Sequence, residues 1–70
     1  MQHAGDCFVR VSEGEWLCRA PCTIDGPEGF LRLTPGVAYR KGDQHIGLDI
    51  AALLDGWHAT GRLPLNISLL

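Results

Sequence analysis

Turn-forming residues recur at short intervals through the first two thirds of the chain, and this spacing limits the fold more than any other sequence feature. The turn signals are Glu13-Gly14, Gly26-Pro27-Glu28-Gly29, Pro35-Gly36 and Lys41-Gly42-Asp43. Short runs rich in β-branched, aromatic and other apolar residues lie between them, which is typical of consecutive antiparallel strands. The pattern predicts strands over residues 7–12, 15–20, 22–25, 30–34 and 37–41.

The first two strands form the clearest hairpin. A two-residue turn at Glu13-Gly14 places Ser12 opposite Glu15, with glycine taking the positive φ that such turns need. One face then holds Cys7, Val9, Val11, Trp16, Cys18 and Ala20, and the other holds Phe8, Arg10, Ser12, Glu15, Leu17 and Arg19. This register is favoured because it gathers the apolar side chains on one face of the hairpin. A slip of one residue along either strand would mix the two faces. Glutamate is not preferred in a tight turn, so a longer turn with a bulge at Gly14 is the rival.

A second hairpin is predicted around Pro35-Gly36, which suits a type II turn. Segment 37–41 would then return antiparallel to segment 30–34. Pro21 should end the preceding strand because proline cannot donate a ladder hydrogen bond. Residues 22–25 either continue that strand or start a new one.

The sequence of the last third of the chain predicts one helix and one further strand. Ile50, Leu53, Leu54 and Trp57 form an apolar stripe at helical spacing, which predicts a helix over residues 48–60 with Asp49 as cap and Gly61 as terminator. Beyond it, leucine and isoleucine alternate with proline, asparagine and serine, which indicates a half-buried strand over about 65–70. This strand could dock on its own sheet or pair with another copy.

Seventy residues leave room for one domain, spanning 1–70. We expect an α+β fold, in which a small antiparallel sheet of three to five strands carries one helix on its apolar face. The helix should meet Val9, Val11, Trp16, Leu31 and Leu33. A small β-barrel capped by the helix is the alternative.

The three cysteines are the first candidates for chemistry. Cys18 and Cys22 have a spacing found in zinc sites, and Cys7, His45 or His58 could complete the ligand set. However, only one such pair exists, and in an extended strand residues four apart are separated by about 13 Å. We therefore expect buried thiols, with no metal, no disulfide and no cofactor. No nucleophile–base motif or phosphate loop is present, so we expect no enzymatic activity.

One sheet face is the predicted partner-binding surface, consisting of Phe8, Arg10, Arg19, Phe30, Arg32 and Tyr39. Tyrosine, phenylalanine and arginine are enriched at protein–protein interfaces, which predicts a small protein-binding or accessory module. Single-stranded nucleic acid, stacked on the aromatic residues, is the alternative. The net charge of −2 makes it the weaker one.

Two further expectations concern the cellular location and the oligomeric state of the protein. Residues 1–6 lack a basic region followed by an apolar run, and no apolar stretch approaches the roughly 18 residues of a membrane span. We therefore expect a cytoplasmic protein with no membrane partner. A monomer is favoured over a homodimer formed through the C-terminal strand, because intramolecular pairing avoids the entropy cost of association.

Overall fold

The computed structural model describes residues 4–70, so Met1 to His3, on which the targeting expectation partly depends, lie outside the described range. Two helices and eight short strands follow one another along the chain. In chain order they are α1 (Ala4–Cys7), β1 (Phe8–Ser12), β2 (Glu15–Cys18), β3 (Cys22–Gly26), β4 (Gly29–Leu33), β5 (Ala38–Arg40), β6 (Gln44–His45), β7 (Leu48–Asp49), α2 (Ile50–Thr60) and β8 (Ser68–Leu69).

The strands form small open antiparallel sheets, which confirms the α+β prediction. One sheet has the order β1-β2-β5, the second has the order β4-β3-β8, and β6 pairs with β7 in a separate hairpin. We call the first two sheet A and sheet B. Neither closes into a barrel within residues 4–70, so the barrel alternative is not the observed architecture.

The first hairpin has the predicted turn but not the predicted register. Ser12 lies opposite Glu15, yet Arg10, not Val11, lies opposite Trp16, because a bulge between Arg10 and Ser12 adds one residue to β1. Every side chain before the bulge therefore changes face. Phe8 enters the core, whereas Val9 and Val11 are 40% and 55% exposed. The bulge allows the larger apolar side chain to be buried, since an aromatic ring removes more surface from water than valine does.

The predicted pairing of segment 30–34 with segment 37–41 is wrong. The Pro35-Gly36 turn forms, with Val37 N–H donating to the Thr34 carbonyl at 3.3 Å, but the strands on its two sides belong to different sheets. β4 pairs with β3, and β5 pairs with β2 so that Tyr39 lies opposite Trp16. Opposed residues of an antiparallel pair share a face, so Tyr39 follows Trp16 into the core.

The main helix begins two residues later than predicted, and its caps are the predicted ones. The Asp49 carboxylate accepts from Ala52 N–H at 3.1 Å, and Gly61 (φ 75°) donates its N–H to the Trp57 carbonyl at 2.6 Å. These contacts satisfy backbone groups that a helix end leaves unpaired. Ile50, Ala51 and Leu54 form the buried face, whereas Leu53 and Trp57 are only half-buried at its margin.

A partly buried hydrogen bond ties this helix to sheet A. Trp16 is 3% exposed, and its indole N–H donates to the Asp55 carboxylate at 2.8 Å. The indole ring also meets the Trp57 ring edge-on, with centroids 6.2 Å apart. Helix and sheet are thus linked by a polar contact at one side of the apolar interface.

The β6–β7 hairpin contains Ile46, the one non-glycine residue of the described chain that has a positive φ. Ile46 has φ 46° and Gly47 has φ 75°, as a turn with two positive φ angles requires. A β-branched residue is a rare occupant of this conformation, which places Cβ close to the following carbonyl oxygen. This close approach strains the backbone at Ile46.

The C-terminal segment docks on its own sheet, as favoured from the sequence. Leu69 lies opposite Ile24, and Leu70 N–H donates to the Thr23 carbonyl at 2.9 Å. Sheet A, sheet B and α2 together enclose one core. Its buried residues are Ala4, Cys7, Phe8, Trp16, Cys18, Cys22, Ile24, Leu33, Tyr39, Ile50, Ala51, Leu54, Ile67 and Leu69. Of the described helices, none has the length and apolar character needed to cross a membrane.

Candidate binding groove

An apolar groove of about 640 Å³ runs between the outward side of α2 and the chain that follows it. Its lining residues are Ala52, Leu53, Gly56, Trp57, Thr60, Arg62, Leu63 and Pro64. We call this the α2 groove. Sites that hold ligands commonly enclose about 300–1,000 Å³ and are lined mainly by apolar side chains. The α2 groove is open along one side, so it resembles a place for a protruding segment more than an enclosed small-molecule cavity.

The wall opposite α2 is held by the side chain of Thr60. Its hydroxyl donates to the Gly56 carbonyl at 2.9 Å, and it accepts from Arg62 N–H at 3.2 Å. Gly61, in the left-handed conformation, ends the helix immediately before Arg62. Together these contacts hold Leu63 and Pro64 alongside the helix, so the groove is formed in the free protein.

The floor of the groove is open at Gly56. A Cβ atom added there would have no heavy atom within 4 Å apart from its chain neighbours and the backbone of its own helix, so packing inside this structure does not require glycine. Glycine in the middle of a helix costs roughly 0.5–1 kcal/mol relative to alanine. Gly56 is exposed and lines the groove, so it does not serve a close approach of the helix to the sheets.

One positive charge lies at the rim of the groove. Arg62 is exposed, and in the described part of the chain its guanidinium has no ion pair and no hydrogen bond. The apolar lining next to it includes half-buried Leu53, Trp57 and Leu63, which pack against the core. The groove thus combines an apolar surface with a cation that is free to pair with a carboxylate.

The surface predicted from the sequence is divided between the core and two sheets. Phe8 and Tyr39 are 3% and 6% exposed, so their expected exposure is wrong; the β1 bulge buries the first, and pairing of β5 with β2 buries the second. Arg10 is exposed on sheet A, whereas Phe30 and Arg32 are exposed on β4 of sheet B.

Arg19, the last of the six predicted residues, lies beyond the end of β2 and supports local structure. Its guanidinium donates to the carbonyls of Gly5 and Asp6 at 2.9 and 3.5 Å. These carbonyls belong to α1, a single helical turn, so Arg19 ties the end of β2 to the segment that precedes β1. Phe30 is therefore the one aromatic residue of the predicted surface that remains exposed.

The three cysteines come together in the core. Cys7, Cys18 and Cys22 are all buried, and Cys22 hydrogen-bonds with the Cys7 thiol. Burial, together with that bond and the nearby Cys18, raises the pKa of Cys22 to about 12. Burial also raises the pKa of Cys18. Both thiols are therefore protonated and poor nucleophiles near neutral pH.

The proposed metal ligands do not form a site. Within residues 4–70, no group of three or more histidine, cysteine or acidic side chains has an arrangement that could hold a metal ion. The ring of His45 lies against that of Tyr39, with centroids 5.2 Å apart, and the ring of His58 lies against that of Trp16, with centroids 6.0 Å apart.

Sequence reasoning missed the α2 groove because it treated Leu53 and Trp57 as buried residues. Two signals were present. The apolar stripe of α2 is too wide for one small sheet to cover, and Gly56 interrupts a helix otherwise rich in alanine and leucine. Read together, these signals predict an apolar helix margin with an open floor.

The comparisons with known proteins identify no relative. No family model matches the chain, and neither the curated proteins nor the solved structures include a significant match.

Proposed function

We propose that this protein is a small non-catalytic protein-binding module, and that the α2 groove receives a short segment of its partner. The observation that carries the proposal is Gly56, a helix-destabilising residue whose position needs no glycine inside this chain. A partner that approaches the helix closely would need the space that a larger side chain would fill.

The chemistry of the groove defines the expected partner segment. Half-buried Leu53, Trp57 and Leu63 offer apolar contact, so the segment presents a leucine or an aromatic side chain. Arg62 at the rim favours an acidic residue next to that anchor, since guanidinium pairs well with carboxylate. The proposed ligand is thus a short acidic and apolar peptide segment.

A non-catalytic role agrees with the state of the titratable groups. The raised pKa values of Cys18 and Cys22 leave both thiols protonated near neutral pH.

Peptide display tests the proposal directly, because the selection itself reveals which segments the groove accepts. A library of short peptides is selected on the wild-type protein and counter-selected on Gly56→Leu, which fills the groove floor. We expect the enriched peptides to carry an apolar anchor beside Asp or Glu. Arg62→Ala should weaken their binding by about tenfold, corresponding to about 1.4 kcal/mol.

Two matched variants make the result decisive. Ala59→Leu adds the same side chain to an exposed helix position that does not line the groove, and it should leave binding unchanged. Gly56→Ala should stabilise the free protein by about 0.5–1 kcal/mol while weakening the peptides. Peptides that bind Gly56→Leu and wild type equally would contradict the proposal. Binding of an oligonucleotide with a steep salt dependence would instead favour the nucleic-acid alternative.

A further inference from the structure

β4 has an open edge that is not part of the α2 groove. Sheet B has the order β4-β3-β8, so β4 has a strand on one side only within the described chain. It is also one of the longest strands of the protein, with five residues, and Phe30 near its start is 68% exposed. Exposed edges present unpaired backbone donors and acceptors to any strand that can approach them.

The register shows which residues of β4 point toward this edge. Leu70 N–H donates to the Thr23 carbonyl, so the backbone groups of Thr23 face β8. Because N–H and C=O directions alternate along a strand, the backbone groups of Ile24 face β4 and its opposite residue, Leu31. The neighbours of Leu31, namely Phe30 and Arg32, therefore direct their N–H and C=O groups outward.

The side chains of the same two residues lie on the outer face of sheet B. Phe30 lies opposite Asp25 and Arg32 lies opposite Thr23, and both are exposed. In the described part of the chain, Arg32 takes part in no ion pair or hydrogen bond. Edge strands are often protected by proline, by lysine or by a bulge, whereas β4 carries an exposed phenylalanine and pairs with β3 in an uninterrupted register.

We propose that two copies of this protein associate through antiparallel pairing of their β4 edges, centred on Leu31. This register overlaps the whole of Gly29–Leu33 and places Phe30 of each copy opposite Arg32 of the other. The two pairs each exchange backbone hydrogen bonds, because both residues direct those groups outward. Each arginine also lies next to a phenylalanine ring, an arrangement that attracts a cation to the ring face.

The charges favour this register over the one centred on Arg32. Moving the centre to Arg32 would set the two arginines opposite each other, and like charges directly opposite are destabilising. In the Leu31-centred register each arginine meets a ring, so the edge is self-complementary and the contact closes as a twofold dimer. Two short strands form a small contact, which belongs with weak associations that bury less than about 1,200 Å² in total.

This proposal is independent of the α2 groove and is tested on the full chain without any other partner. Analytical ultracentrifugation over a concentration series, extended to NMR concentrations, should show a reversible monomer–dimer equilibrium. Phe30→Lys, which sets lysine opposite the arginine of the second copy, should weaken association by about tenfold or more. Phe30 is exposed, so the variant should remain folded.

Two further variants locate the interface. Val11→Lys makes the same kind of change at an exposed apolar residue on the edge strand of sheet A, and it should leave the dimer intact. Arg32→Pro removes an outward-facing N–H that β3 does not use, so it should abolish the dimer while the dispersed NMR spectrum of a folded monomer persists. A wild-type protein that stays monomeric, or a dimer that Phe30→Lys and Arg32→Pro leave unchanged, would overturn the proposal.

Discussion

Replacing Asp55 by alanine should destabilise the protein by about 2 kcal/mol, although Asp55 is only half-buried. Its carboxylate accepts the Trp16 indole N–H at 2.8 Å, and Trp16 is 3% exposed. Hydrogen bonds to charged groups contribute about 1.5–3 kcal/mol, and an unsatisfied buried donor costs about 1–3 kcal/mol. Because Asp55 remains in contact with water, we expect a value near the middle of these ranges.

The loss is large for a chain of this length. A domain of 70 residues has a stability of only a few kcal/mol. A loss of 2 kcal/mol should lower Tm by roughly 8–16 °C, at about 4–8 °C per kcal/mol. Thermal melting followed by circular dichroism measures this directly. Asp55→Asn is the matched control, since its amide oxygen can still accept the indole proton; it should melt within a few degrees of wild type.

A double-mutant cycle isolates the hydrogen bond itself. Trp16→Phe keeps an aromatic ring in the core but removes the indole N–H, so Asp55→Ala should cost much less in that background. We expect a coupling energy of about 1–2 kcal/mol. If the two losses add to within about 0.5 kcal/mol, the bond stabilises nothing and the reasoning is wrong.

Three other predictions follow from single contacts. Leu69→Ala should cost about 2–3 kcal/mol in urea unfolding because Leu69 is 3% exposed, whereas Leu65→Ala, at a fully exposed leucine, should change stability by less than about 0.5 kcal/mol; equal losses would place the C-terminal segment elsewhere. Ile46→Asn should raise the free energy of unfolding by about 1 kcal/mol, since asparagine tolerates the positive φ; an unchanged or lower urea midpoint would show that no strain is stored there. The pKa of Cys22 is raised in the folded state, so its thiol loses its proton at a lower pH in the unfolded chain than in the folded one. The free energy of unfolding that this thiol contributes should be fully present below pH 9 and fall as pH rises toward about 12. Urea midpoints measured across this range with reductant should decline less for Cys22→Ala than for the wild type.

Local features were predicted well because their causes lie within a few residues. The Glu13-Gly14 turn, the Pro35-Gly36 turn, the Asp49 cap and the Gly61 terminator all depend on φ preferences or on hydrogen bonds spanning two to four residues. The alternation of residues 63–69 likewise predicted a C-terminal strand, which forms at Ser68–Leu69. The α+β class follows from these elements.

The sequence by itself therefore determined several of the turns, the residues that cap the main helix, and the class of the fold. Which strands pair, and which face each strand buries, depended on the tertiary structure. The β1 bulge buries Phe8 instead of Val9, and β5 leaves its sequence neighbour to place Tyr39 opposite Trp16. In both cases the gain comes from burying a large ring in a core shared by distant segments. Which ring is buried depends on contacts between segments far apart in the sequence, so it could not be predicted from spacing. For this reason Phe8 and Tyr39 lie in the core and not on the predicted surface.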